Sequence, residues 1–234
     1  MDETERARIH RIDGDRIESV DDALVVEQAV AIEVEEEILI RTTCSPRQLR
    51  EWAIGYLFSE GLITRPDDIE TIHEADGVLS VELARCAPPE PAPHAPVESE
   101  WRVTADRILA VARVMVEKAE LFRETGGTHA VAIADDTDVL AFVEDISRTC
   151  ALEKALGIAL RQHIDFSRSL AFLSSRVPSR MIAKLARCGI PIVAAVSAPT
   201  LDAVRLAEQL NVCLCGFVRD ERMNVYAHGW RVGL

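Results

Sequence analysis

Three segments in the last third of the chain set hydroxyls and guanidinium groups directly after apolar runs: Ser174-Ser175-Arg176, Ser197-Ala198-Pro199-Thr200 and Gly216-Phe217-Val218-Arg219-Asp220-Glu221-Arg222. Arginine offers a planar fork of donors that matches phosphate oxygens two at a time, and a neighbouring aromatic ring packs on a heterocycle. Arg176, Arg219 and Arg222, with Phe217 between them in sequence, are therefore candidates for holding a phosphorylated cofactor. The competing account of the last segment is a charged turn between two strands. In Thr125-Gly126-Gly127-Thr128-His129 two glycines permit a positive-φ turn or close backbone approach beside a histidine, and a structural turn competes equally with ligand contact. Sulfur chemistry has six candidates: Cys44, Cys86, Cys150, Cys188, Cys213 and Cys215. They form no C-x-x-C pair, so neither a zinc knuckle nor a thioredoxin motif is written here. Cys86, beside Arg85 and at the start of a proline-rich stretch, has the cation and exposure that a reactive thiolate needs; the others read as reduced core thiols.

Groups of this kind must be delivered by a scaffold, and composition bounds which one. The chain has 234 residues, 48% apolar and 28% charged, enough for one sizeable core or a main core with a smaller lobe. A net charge of −13 excludes a polyanion-binding face over most of the surface, and no nucleic-acid partner is expected. No apolar run approaches the roughly 18 residues of a membrane span. The first residues, MDETERARIHRIDGDR, are charged where a signal peptide would be apolar, so a cytoplasmic location is expected.

In the first lobe, Ala23–Val26, Val30–Val34 and Ile38–Arg41 read as a strand followed by a hairpin whose turn is Glu35-Glu36-Glu37. Ser45-Pro46-Arg47-Gln48 carries an N-cap candidate and a proline at the first helical position, predicting a helix from there to about Glu60. Half of the ten prolines fall between Ala87 and Pro96, an extended linker that ends an amino-terminal α+β lobe, residues 1–97. His94 within it reads as solvent-exposed. The second lobe, 98–234, alternates regularly. Helix Thr104–Phe122 has an apolar face of Ile108, Val111, Ala112, Met115, Ala119 and Phe122. Strands His129–Ala134 and Val139–Val143, helix Ser147–Gln162, strand Ser169–Leu173, helix Pro178–Cys188 and strand Pro191–Val196 follow. Helix Thr200–Leu210, strand Val212–Val218 and strand Met223–Ala227 complete it. Such an order predicts an α/β fold with a mainly parallel sheet covered on both faces, and phosphorylated ligands at the carboxyl ends of its strands.

The same order occurs in cytidine-deaminase-like folds, whose zinc chemistry needs H-x-E and P-C-x-x-C. Neither is present: Ala130 and Val131 follow His129, and Thr200 follows Pro199. No zinc or other metal site is expected.

Beyond these patterns, Arg41-Thr42-Thr43, Gly55–Gly61, Thr125–Ala130, Glu144-Asp145, Arg148, Lys154, Gly189-Ile190-Pro191, Ala194–Thr200, Gly216–Arg219 and Arg222–His228 together resemble the formate dehydrogenase accessory sulfurtransferase family, FdhD/NarQ. The resemblance covers about Ala23 to His228. It implies a cytidine-deaminase-like three-layer α/β sandwich without zinc, and a homodimer. It further implies a function in formate dehydrogenase maturation: taking persulfide sulfur from a cysteine desulfurase and passing it to the molybdenum bis(molybdopterin guanine dinucleotide) cofactor before insertion into the formate dehydrogenase apoenzyme. The stretch Phe217, Val218, Arg219, Asp220, Glu221, Arg222 corresponds to the family's cofactor-binding segment, and a guanine nucleotide such as GDP is a candidate ligand.

Departures from the family pattern are specific. The family carries sulfur on a C-G-x-C-G loop, where this chain has its proline-rich linker and the single thiol of Cys86. Thr149 and Cys150 stand where the family has His-Asn after the arginine, and Ser175 and Arg180 replace a glycine and an acid. Two classes stay open on these grounds: a sulfurtransferase using Cys86 or another thiol, and a non-catalytic cofactor-binding paralogue that has lost sulfur transfer.

Overall fold

Charged residues on both faces let the first two strands stand away from any core. In the computed structural model, which describes residues 2–84 and 94–234, β1 (Thr4–Asp13) and β2 (Arg16–Val25) form an antiparallel ribbon with Ile12 and Ile17 paired at its tip. Only the end of β2 was legible in the sequence, because a ribbon without a buried face leaves no hydrophobic alternation to read.

The acid-tipped hairpin is formed by β3 (Gln28–Val34) and β4 (Glu37–Cys44), with Glu35 and Glu36 both at positive φ in its turn. Helix α1 (Leu49–Glu60) starts four residues after Ser45, not at it. Ser45 is occupied elsewhere: its N–H reaches the Asp145 carboxylate and its hydroxyl accepts the Ile146 N–H, while Gln48 takes a left-handed conformation just before the helix. Strands β5 (Ile69–Ala75) and β6 (Val78–Leu83) complete a four-stranded sheet of order β4-β3-β6-β5.

The sequence predicted one helix over Thr104–Phe122, and the structure breaks it in two. Helix α2 (Ala105–Lys118), capped by the Thr104 hydroxyl, ends at Ala119, whose ψ of 68° is not helical, and α3 (Glu120–Thr125) follows it. Phe122, expected on the buried face, is consequently 51% exposed.

A six-stranded sheet follows: β7 (His129–Ala134), β8 (Val139–Asp145), α4 (Arg148–Arg161), β9 (Leu170–Leu173), α5 (Ser179–Arg187), β10 (Ile192–Ala195), α6 (Leu201–Gln209), β11 (Cys213–Arg219) and β12 (Arg222–Ala227). Its order is β12-β11-β10-β9-β7-β8. The expectation of a mainly parallel sheet is corrected here: only β9–β10 and β10–β11 are parallel, and the pairs involving β7, β8 and β12 are antiparallel. The cause is local. Asp135 closes a tight turn by accepting the Thr137 and Asp138 N–H groups, so β8 must return beside β7; the Asp220-Glu221 turn does the same for β12. Only strands joined through α5 and α6 run together.

Strict alternation loads both faces. Val131, Ala171, Leu173, Val193, Ala195 and Leu214 meet α4, α5 and α6, while Ala130, Ala132, Phe172, Ile192, Ala194 and Cys213 meet α2. The amino-terminal half is fastened to this body by α1 crossing α4 so closely that a Cβ on Gly55 would lie 1.7 Å from the Glu153 carbonyl oxygen. Around the crossing, Glu153 accepts the Trp52 indole N–H at 2.8 Å and pairs with Lys184 at 2.9 Å, and Lys184 also reaches Ser59 and Glu60. No helix among the described residues is long and apolar enough to cross a membrane.

Candidate functional site

Because β7 runs against β9, β10 and β11, its first residue arrives at the same edge as their last. Thr128 and His129 therefore stand beside Ser174, which follows β9, and Val196, which follows β10. Ser174 fixes this meeting: its N–H donates to the Ala130 carbonyl at 3.0 Å, and its hydroxyl accepts the Ala130 N–H at 2.9 Å. The carboxyl ends of α2 and α3 overhang the edge, and between them and the sheet lies a groove of about 590 Å³. Met115, Val116, Ala119 and Phe122 make its apolar wall; Gly126, Gly127, Thr128, His129, Ser174 and Arg123 make the polar side.

Of the residues singled out from sequence, Gly126, Gly127 and His129 line this groove. Gly126 holds φ 68°, and Gly127 has no room for a side chain, since a Cβ there would meet Val25 Cγ2 at 2.8 Å. Burial, reinforced by the Arg148 charge and opposed by Asp145, holds the His129 imidazole below its ordinary pKa of 6.5. The ring thus presents a neutral donor–acceptor pair at neutral pH.

Arg176 and the Phe217–Arg222 hairpin are brought to the same edge but lie outside the groove's lining. Arg176 is exposed two residues beyond Ser174, in a loop that pairs with the one after β10 through Val177 and Ala198. Phe217, at φ 52°, donates its N–H to the Ser197 carbonyl next to Val196. Arg219 and Arg222 face each other across the hairpin, with the Arg219 guanidinium 5.7 Å from the centre of the Phe217 ring. Neither arginine, nor Arg176, makes an ion pair among the described residues. Asp220 and Glu221 are exposed in the turn, whereas Val218 is buried in the core against α2, leaving only its backbone for a ligand.

The wall residues Met115, Val116 and Ala119 were not recognised as site residues. Their signal was an apolar stripe continuing past the end of the strands it covers, visible only once strand lengths are known. Behind His129, its ladder partner Asp145 is buried and pairs with Lys154 at 2.5 Å. Lys154 also donates to the Ser45 carbonyl, and burial raises the Asp145 carboxyl while Lys154 pulls it back. That cluster ties the start of α1 to the groove's foundation.

The thiols divide sharply. Cys44, Cys150, Cys188, Cys213 and Cys215 are all buried. Hydrogen bonding to Cys150 and burial push the Cys44 thiol far up, and the same bond pulls Cys150 down; burial alone raises Cys188. Cys213 and Cys215 share one face with their sulfurs 3.9 Å apart. Cys86 and most of the proline-rich linker lie outside the described residues. The described chain resumes at His94, whose Nδ1 is 3.5 Å from Arg187 at the far end of α5 from the groove's edge. Among the described residues no cluster of three or more His, Cys, Asp or Glu side chains could hold a metal ion.

Fold and groove together define an α/β protein with a ligand-sized recess at the carboxyl edge of a mixed, two-sided sheet. A sequence profile of the FdhD/NarQ family matches residues 25–93 and 87–233. The sulfur carrier protein FdhD of Methanothermobacter thermautotrophicus is 33% identical over 239 residues, covering 95% of this chain and 96% of that protein. That of Listeria innocua is 26% identical over 255 residues, covering 97% and 98%. A formate dehydrogenase accessory protein from Desulfotalea psychrophila superposes with a TM-score of 0.86 at 23% identity, covering 98% of this chain and 99% of that one, a likeness of fold. The chain belongs to the FdhD/NarQ family.

Proposed function

We propose that the chain acts in formate dehydrogenase maturation as a sulfur carrier that holds the molybdenum bis(molybdopterin guanine dinucleotide) cofactor, or a guanine nucleotide such as GDP, at the carboxyl edge of its six-stranded sheet. The observation that carries this reading is the convergence of the groove with three unpaired guanidiniums, Arg176, Arg219 and Arg222, on one edge of a protein whose net charge is −13. Unpaired cations in so acidic a protein are available to an anion. The donor set fits the ligand class: the apolar wall of Met115, Val116 and Phe122 suits a planar ring, Thr128, His129 and Ser174 offer hydrogen bonds, and the arginines suit a pyrophosphate. When bound, the cofactor would supply the metal centre that accepts sulfur. This chain's own residues bind and orient it, and the neutral His129 supplies a proton donor or acceptor without adding charge.

Sulfur would enter by thiol exchange. A thiolate of this chain attacks the outer sulfur of a cysteine desulfurase persulfide, forms its own persulfide and releases the desulfurase thiolate, with no net oxidant required. Five thiols are buried, so Cys86 is the residue assigned to this step. The partners on this reading are a cysteine desulfurase and the formate dehydrogenase apoenzyme, the working form is a cytoplasmic homodimer, and the sheet with its two helical layers is read as cytidine-deaminase-like. A second reading is favoured by one feature, the absence of the family's C-G-x-C-G loop: a cofactor-binding paralogue that moves no sulfur.

Incubation with a cysteine desulfurase and cysteine, followed by alkylation and peptide mass spectrometry, separates the two. A persulfide on Cys86 is expected. No adduct on any cysteine overturns the carrier reading and leaves the binding module.

A further inference from the structure

We propose that Glu144 is the positioning residue of the groove, a carboxylate that never touches ligand but fixes the wall that does. This rests on the reading that the groove takes the nucleotide. Glu144 is the penultimate residue of β8 and does not line the groove. Its Oε2 accepts the Leu121 N–H at 2.9 Å, and its Oε1 accepts both the Phe122 N–H at 2.7 Å and the Thr128 hydroxyl at 3.0 Å. One side chain thus holds the beginning and the end of the segment 121–128, which contributes Phe122, Arg123, Gly126, Gly127 and Thr128 to the lining.

Little else in the segment can hold it. Helix α3 has six residues, too few to be stable alone, and its own N-cap residue, Ala119, offers no side chain to its first N–H groups. Glu144 replaces that missing cap from another strand, and its negative charge sits at the helix end that favours it. The remaining bonds are internal or run back to the end of α2: Gly126 N–H to the Phe122 carbonyl, the Thr125 hydroxyl to the Leu121 carbonyl, Gly127 N–H to the Thr125 hydroxyl, and Arg123 to the Ala119 and Glu117 carbonyls. They shape the turn without anchoring it to the sheet. The break between α2 and α3 adjoins the same contact: Ala119 leaves helical geometry at ψ 68°, and Leu121 and Phe122, just beyond it, donate their N–H groups to Glu144.

Three variants test this by GDP calorimetry, each at matched folded fraction from thermal melts. Glu144→Ala removes all three bonds and is expected to weaken GDP at least tenfold. Glu144→Gln keeps one carbonyl acceptor for one of the two N–H groups but sets its NH2 against the other, so an affinity between those of the parent and Glu144→Ala is expected. Thr128→Val removes one bond and falls between them. If Glu144→Ala binds within twofold of the parent, the positioning role is overturned. If the parent itself binds no GDP, the nucleotide reading fails separately, and amide exchange decides the inference: unchanged protection of residues 121–129 in Glu144→Ala overturns it.

Discussion

Substituting Gly55 by alanine probes the joint between the two halves of the molecule. The new Cβ would lie 1.7 Å from the Glu153 carbonyl oxygen and 2.8 Å from the Gly157 nitrogen, both backbone atoms that no rotamer change can move aside. Relief requires α1 and α4 to part by well over an ångström. Overpacking alone costs about 1–3 kcal/mol. Separation also stretches the bonds that cross from α1, Trp52 to Glu153 and Ser59 and Glu60 to Lys184, and a hydrogen bond to a charged group is worth about 1.5–3 kcal/mol. Alanine returns only about 0.5–1 kcal/mol through its higher helix propensity. The net loss is at least about 1.5 kcal/mol, which for a chain of this size lowers the melting temperature by at least roughly 3–6 °C. Gly189→Ala is the comparator: at φ 82° with no atom within 4 Å, it carries only the left-handed backbone penalty of about 1–2 kcal/mol. Differential scanning calorimetry of the two variants decides the matter. A drop for Gly55→Ala no larger than that of Gly189→Ala would refute the close-crossing argument.

Further outcomes follow from the site. Arg219→Ala combined with Arg222→Ala should leave the melting temperature within about 1 °C, since both side chains are exposed and unpaired, yet lower GDP affinity tenfold or more; unchanged affinity in calorimetry removes them from the site. The His129 Cε1 proton should titrate by NMR below the ordinary 6.5, because burial and Arg148 disfavour its charged form. The unfolded chain then binds the proton first, so this group's contribution to stability is fully present above about pH 6.5 and declines as pH falls below it. A midpoint above 6.5 contradicts the burial argument. Native-state alkylation should label Cys86 and spare Cys44, Cys150, Cys188, Cys213 and Cys215; rapid labelling of any buried thiol would show that the core opens.

Helices and buried strands of the second half were legible because both patterns are local: Pro191–Val196 and Val212–Val218 read as strands and became β10 and β11, and Gly189, at positive φ, follows the end of α5. What escaped the sequence was set by distant partners. The Ser45 hydroxyl looks like a helix cap until Asp145 and Ile146, a hundred residues away, claim that residue. The break at Ala119 lies beside N–H groups taken by Glu144, and strand direction is set by two short turns whose geometry outweighs helix alternation. β5 has no continuous apolar face to read, whereas β6 carried one in the alternation Leu79, Val81, Leu83 and was overlooked because it is only six residues long. At the site, the glycines and His129 were readable as chemistry, but the groove's apolar wall was indistinguishable from ordinary core.

The reversed direction of β7 has a consequence for how the family's loops can change length. After β9 and β10 an added residue beyond the Val177–Pro199 bridge is absorbed before a helix without shifting a strand of the sheet. Ahead of β7 there is little slack, since Gly127 is pressed against Val25, and a one-residue slip would send Val131 and Ile133 to the opposite side of the sheet. Insertions and deletions should therefore be tolerated in the crossovers and purged between Gly126 and His129.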